Sequence, residues 1–225
     1  MLIANLRQKP SLEAAIEQVQ EITAERPQRQ QAQTLISHWR KEIERIEDRP
    51  FLAQAHQLAD KGDKTSLQAA IAEAQKIEQG RALRIEAQTD IARWTKQIQV
   101  LEDQPRYNQA LELASKGQLQ AAIKTARTIQ SGRALHNQAQ QSIGEWTRRI
   151  QVAEDRPILD EAEELAYDGR LSDAIAVAGR IAPGRALYRE ARNAIAIWDA
   201  ERAYVRSLQS TDDGYTDDSS YEDGE

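Results

Sequence analysis

Three acidic pairs, three histidines and one glycine-lysine string are the residues of this chain whose types could do chemistry. The adjacent carboxylates Glu47-Asp48, Glu102-Asp103 and Glu154-Asp155 have the composition of a general acid/base pair. Neighbouring positions at a helix end diverge, however. Each pair recurs with a proline two residues after its Asp, not with a His or a nucleophile. The pairs therefore read as solvent-exposed helix caps or as ion-pair partners of the recurring Arg81, Arg133 and Arg185, worth at most about 1 kcal/mol each if exposed. His38, His56 and His136 occupy three different phases of the sequence, and no two stand at i, i+4 beside a carboxylate, as a zinc site would need. Cysteine is absent, which excludes disulfides and thiolate metal ligands. Lys61-Gly62-Asp63-Lys64-Thr65 approaches a phosphate-binding loop, but Asp separates its Gly from its Lys and no strand precedes it. It reads as an inserted surface loop. No catalytic, cofactor-binding or metal-binding residue is assigned, and the chain is expected to be non-enzymatic.

An internal repeat positions these residues. Trp39, Trp94, Trp146 and Trp198 lie 55, 52 and 52 residues apart. In register with them recur Leu12, Leu67, Leu119 and Leu171, then Ile16, Ile71, Ile123 and Ile175, then Ile22, Ile77, Ile129 and Ile181. Ala32, Ala87, Ala139 and Ala191 follow, each with an isoleucine four residues on at Ile36, Ile91, Ile143 and Ile195. Prolines 50, 105 and 157 and the glycines Gly62, Gly117 and Gly169 keep the same spacing. The three extra residues of the first interval fit the segment 63–66, expected as a loop.

Each repeat reads as one long helix and two short ones. In the second copy Leu83, Ala87, Ile91, Trp94, Ile98 and Leu101 form a single apolar stripe. That helix is expected to stop at Glu102-Asp103-Gln104-Pro105, with Asp103 capping the next one. A second helix buries Ala110, Leu113 and Ala114, Gly117 turns the chain, and a third helix buries Leu119 to Ile129 before Gly132. The Trp helices are placed near 28–47, 82–102, 134–154 and 186–208, within a repeat array spanning 1–209. Trp39, Trp94, Trp146 and Trp198, with Ile91, Ile143 and Ile195, are the expected structural core.

In the last copy Ala162, Leu165, Ala166, Gly169, Ala174, Ile175 and Ala178, within EAEELAYDGRLSDAIAVAGRI, follow a small-large-Gly-Ala pattern. This hairpin resembles a tetratricopeptide unit. The whole repeat, with its IEDRPFLAQAHQLADKG and GRALYREAR phrases, is similar to cyanobacterial repeat proteins sometimes labelled chromosome-segregation ATPases. The resemblance implies an all-α solenoid of about four layers that presents a long surface to other proteins.

Composition agrees with a helical protein of thin, alanine-filled interfaces. There are 35 Ala and 25 Gln against one Phe and one Met, too few large apolar side chains for a β-sandwich core. No run approaches a membrane-spanning length. Of the acids, seven fall between Ser210 and Glu225, where there is no Lys or Arg; the first 209 residues then hold 29 acids against 30 bases. Such a body gives no electrostatic footprint for nucleic acid. The segment 210–225 is expected to be a disordered acidic tail, either solubilising or a docking motif anchored by Tyr215 and Tyr221. The leading function is a protein–protein scaffold or adaptor, cytoplasmic or held at a membrane by sequence upstream. The alternatives are a subunit that stacks into a filament or larger complex, and a peptide-binding chaperone module. Recurring positions serve stacking, so specificity is expected where copies differ: Phe51, Tyr107, Tyr167, Tyr188 and the segment 63–66. Leu2 and Leu6 leave the N-terminal end without a polar cap, so residues 1–25 are expected to be interaction-prone, through self-association or a protein partner.

Overall fold

A computed structural model describes residues 8–22 and 25–212, with side chains through 209. Among these residues every element is an α-helix: α1 Gln8–Gln20, α2 Arg29–Ala59, α3 Lys64–Gln75, α4 Arg84–Ser115, α5 Leu119–Ala126, α6 His136–Tyr167, α7 Leu171–Ala178 and α8 Tyr188–Asp212. No helix among them is long and apolar enough to cross a membrane. Leu2, Leu6, Tyr215 and Tyr221 lie outside the described residues. So does the acidic tail beyond Asp212, its first three residues being the last of α8.

The break expected at each Glu-Asp-X-Pro is not there. Helices α2, α4 and α6 run unbroken for 31, 32 and 32 residues through Pro50, Pro105 and Pro157. The Trp helix and the first hairpin helix are one element, so each copy has one long helix and one short one. A proline inside a helix removes one hydrogen bond and crowds the preceding turn, at a cost of about 3 kcal/mol. Burial on both sides of it offsets that cost. In α4, Ala87 and Trp94 are buried before Pro105, and Tyr107, Ala110 and Ala114 after it. In α6 the same holds for Ala139, Ile143 and Trp146 before Pro157, and for Leu159 and Ala162 after it. Nine residues separate Trp94 from Asp103 and Trp146 from Asp155. At about 100° per residue that is about half a turn, so the buried stripe changes sides along one continuous helix.

Asp103 does not cap a following helix. Capping needs the N–H groups two and three residues on, and the first of these belongs to Pro105, which has none. Its carboxylate takes a guanidinium instead.

The segment 63–66 is not a loop either. Asp63 is extended and its side chain accepts from the Ser66 N–H at 2.9 Å, which makes it the N-cap of α3. The inserted residues become helix, and α3 has 12 residues where α5 and α7 have 8. The turn after a long helix is the one expected from its glycine. At Gly117 (φ 77°) the Gln118 N–H reaches the Leu113 carbonyl at 2.9 Å and the Gly117 N–H reaches that of Ala114 at 3.1 Å. This pair of bonds closes a helix only where one residue is left-handed.

The chain divides into two compact units, Met1–Asn108 with Thr128–Gln138 and Gln109–Arg127 with Ala139–Glu225. In the first, Leu52, Ala55, Leu67, Ala70, Ala74, Ile77, Ala87 and Trp94 form a core flanked by Leu83, Ile91 and Ile98. In the second, Leu159, Ala162, Leu171, Ala174, Ala178, Ile181, Leu187, Ala191 and Trp198 do the same, with Ile195 against them. Alanines with no exposed surface let the helices approach closely, with Trp94 and Trp198 packed among them.

Candidate functional site

The three acidic pairs are each closed by one arginine. Arg81 donates through Nε to Asp48 and through Nη2 to Glu47, both at 2.8 Å. Arg133 reaches Asp103 at 2.6 Å and Glu102 at 2.9 Å. Arg185 reaches Asp155 at 2.7 Å and Glu154 at 2.8 Å. Asp48, Asp103 and Asp155 are only 1–2% exposed, so these are not the weak surface pairs anticipated from the sequence. The turn that carries each arginine adds backbone bonds. The Ala82 N–H donates to Glu44 at 2.8 Å, and the Ala134 N–H to Gln99 at 3.0 Å. Before each arginine stands a left-handed glycine, Gly80, Gly132 or Gly184, with φ of 83°, 82° and 85°. That conformation folds the chain back so the next residue faces the long helix.

Electrostatics fix the charges of these joints. Hydrogen bonds donated to Asp48, then Glu47, raise the Arg81 pKa, and the equivalent acids raise those of Arg133 and Arg185. Lys9, then Arg81, lowers the pKa of Glu47; Lys64, then Arg133, lowers that of Glu102. Both glutamates therefore stay ionised well below neutral pH.

The histidines separate into different roles. His136 opens α6, with Nδ1 at 3.1 Å from the Ile129 carbonyl. At the same place in earlier copies Arg29 bonds the Ile22 carbonyl at 2.7 Å and Arg84 that of Ile77 at 2.6 Å. His136 thus tethers the preceding turn to its helix. His56 is different. Its Nε2 meets the carboxylate of Asp90, which is buried, and Asp90 also holds Arg93 at 2.6 Å. The His56 ring stands edge-on to Trp94 at 5.7 Å, and the Arg93 guanidinium lies 5.7 Å over the same indole. Other copies carry Leu35, Ser142 and Ala194 where Asp90 stands, so this cluster belongs to one copy alone.

Arg93 also borders an open groove of about 950 Å³ along the outward face of α4. Ile85 lies near one end, Arg93 and Lys96 near the middle, and Val100 and Leu101 towards the other, where Ala59 and Gly62 also line it. Ile85 is 80% exposed, and Leu101, expected in the core stripe, is exposed here instead. The groove lining includes two bases and no acid. Comparison with protein-family models, with curated proteins and with solved structures finds no match to this chain.

Trp94, Trp146 and Trp198 are buried, as is Ile143, while Trp39, Ile91 and Ile195 are half-buried. Of the residues expected to meet a partner because they differ between copies, Tyr107 is buried in α4, at the position that the buried Leu52 and Leu159 fill in the neighbouring copies. Phe51 is half-buried with the Lys76 ammonium over its ring at 5.5 Å, and Tyr188 is half-buried against the second core. Tyr167 is 94% exposed, in a shallow depression with Asp160, Glu163, Glu164 and Asp168. The groove was missed in the sequence, although a signal was present. Ile85 replaces Gln30, Asn137 and Arg189 of the other copies, an apolar residue at a place the pattern keeps polar.

Proposed function

We propose that the chain is a non-enzymatic scaffold: an α-solenoid of four copies of about 52 residues, with its docking surface on one copy. The α4 groove carries this reading. It combines exposed apolar side chains at its ends with a basic middle, on a face that a packed helix gives no internal reason to leave apolar. A groove of this length and composition fits an amphipathic helix with an acidic centre. The recurring Arg–Glu–Asp joints supply the rigid frame, and the His56–Asp90–Arg93 cluster supports the groove wall. Capture from a lysate of the source cells, by the parent chain and by an Ile85→Glu/Leu101→Glu variant, tests the reading. Proteins other than the chain itself should be lost selectively from the variant while its helical signal stays unchanged. Equal capture by both chains sinks the groove as a docking surface.

A further inference from the structure

Helix α8 exposes a stripe of its own. Ile197 is 65% and Tyr204 63% exposed, Val205 is exposed beside Tyr204, and Glu201 lies between Ile197 and Tyr204 on the same helical face. Its acidic centre, Glu201, complements the basic middle of the α4 groove, Arg93 and Lys96. We infer that the α4 groove of one molecule receives α8 of a second copy of this chain, antiparallel, so that molecules join head to tail.

The register follows from the helix repeat. With Lys96 opposite Glu201, an antiparallel pairing sets Val100 against Ile197 and Arg93 over the Tyr204 ring. The single ion pair sits in the middle of the contact, where the apolar ends shield it from water and it fixes the register. The two surfaces are different patches, one on α4 and one on α8, so the contact is heterologous. This inference rests on the reading of the groove as a docking surface and names its occupant.

The test is sedimentation velocity of the full chain from about 1 µM to about 500 µM, the range expected of one helix-in-groove contact. The sedimentation coefficient should rise with concentration. Lys96→Glu and Glu201→Lys should each abolish the rise, and the Lys96→Glu/Glu201→Lys double variant should restore it. All positions are exposed, and unchanged circular-dichroism melts verify that each variant folds. An equimolar mixture of a Lys96→Glu chain with an Ile197→Glu/Tyr204→Glu chain keeps one intact groove and one intact stripe, and should stop at a heterodimer. A parent chain that stays monomeric throughout overturns the inference, as does continued growth of the stripe variant alone. Failure of the charge swap to restore growth overturns the register. A monomeric parent whose groove still captures other proteins defeats this inference and leaves the scaffold reading standing. Loss of both defeats the groove itself.

Discussion

Arg133 with Asp103 and Arg93 with Asp90 are both guanidinium–carboxylate pairs at 2.6 Å, and both carboxylates are buried. They do different things. The first joins residues 30 positions apart, from a turn to the middle of a long helix, and has equivalents in two other copies. The second joins residues three apart on one helix, shares its carboxylate with His56, and exists once. An ion pair that recurs with the repeat is a structural joint. One that departs from the repeat stands here beside an exposed apolar groove.

The largest difference should appear on deleting the two arginines. Arg133→Ala leaves the buried Asp103 with only the longer contact to the exposed Arg106, at 3.4 Å. The loss is about 2–3 kcal/mol, at the low end for a buried pair because water reaches the space an arginine 28% exposed has vacated. Arg93→Ala leaves His56 on Asp90 and should cost less than about 1 kcal/mol. Urea melts of both variants check this, and equal losses would erase the distinction between joint and groove. The glycines give effects of opposite sign. Gly132→Ala places a methyl group in a left-handed conformation and should destabilise by about 1–2 kcal/mol. Gly144→Ala, in the middle of α6 with open space around it, should stabilise by about 0.5–1 kcal/mol.

Acid titration separates the same two regions more gently. Glu47 and Glu102 have folded pKa values below their unfolded ones. Their contribution is complete above the unfolded value of about 4.3 and fades as pH falls through the lower folded values. The melting temperature should therefore be flat from neutral to about pH 5 as far as these glutamates set it, then fall. Glu102→Gln should flatten the fall, whereas Ile85→Glu should not. The smallest effect on folding is expected in the groove. Ile85→Glu/Leu101→Glu should shift stability by no more than about 0.5 kcal/mol, as substitutions on exposed surface do. A larger loss would mean that the groove face is core.

The burial of Trp94, Trp146 and Trp198, that of the alanines in register with them, and the turns at Gly62, Gly117 and Gly169 were legible because they rest on local patterns that recur along the sequence. The arginine partners of the acidic pairs were legible for the same reason, though not their burial. The unbroken long helix was not. A helix that buries opposite sides of its two halves shows no single stripe, and the proline between the halves reads locally as a stop. Tyr107 was chosen because it differs between copies, although its counterparts Leu52 and Leu159 are large, apolar and buried too. The groove was hidden because it is made of residues that depart from the repeat, and one chain gives each departure a single witness.

The residues inserted at 63–66 carry a further consequence. They lengthen α3 by about one turn, yet Arg81 closes on Asp48 at 2.8 Å where the shorter copies close at 2.6 and 2.7 Å. The fastening therefore does not measure the piece it fastens. A short helix can gain a turn at its free N-terminal end, provided a capping residue such as Asp63 starts it, and the glycine–arginine latch downstream still meets its keeper. Length variation of this kind is a tolerance built into the joint. It makes the N-terminal end of α5 or α7 the natural place to graft a helical turn carrying a new binding residue.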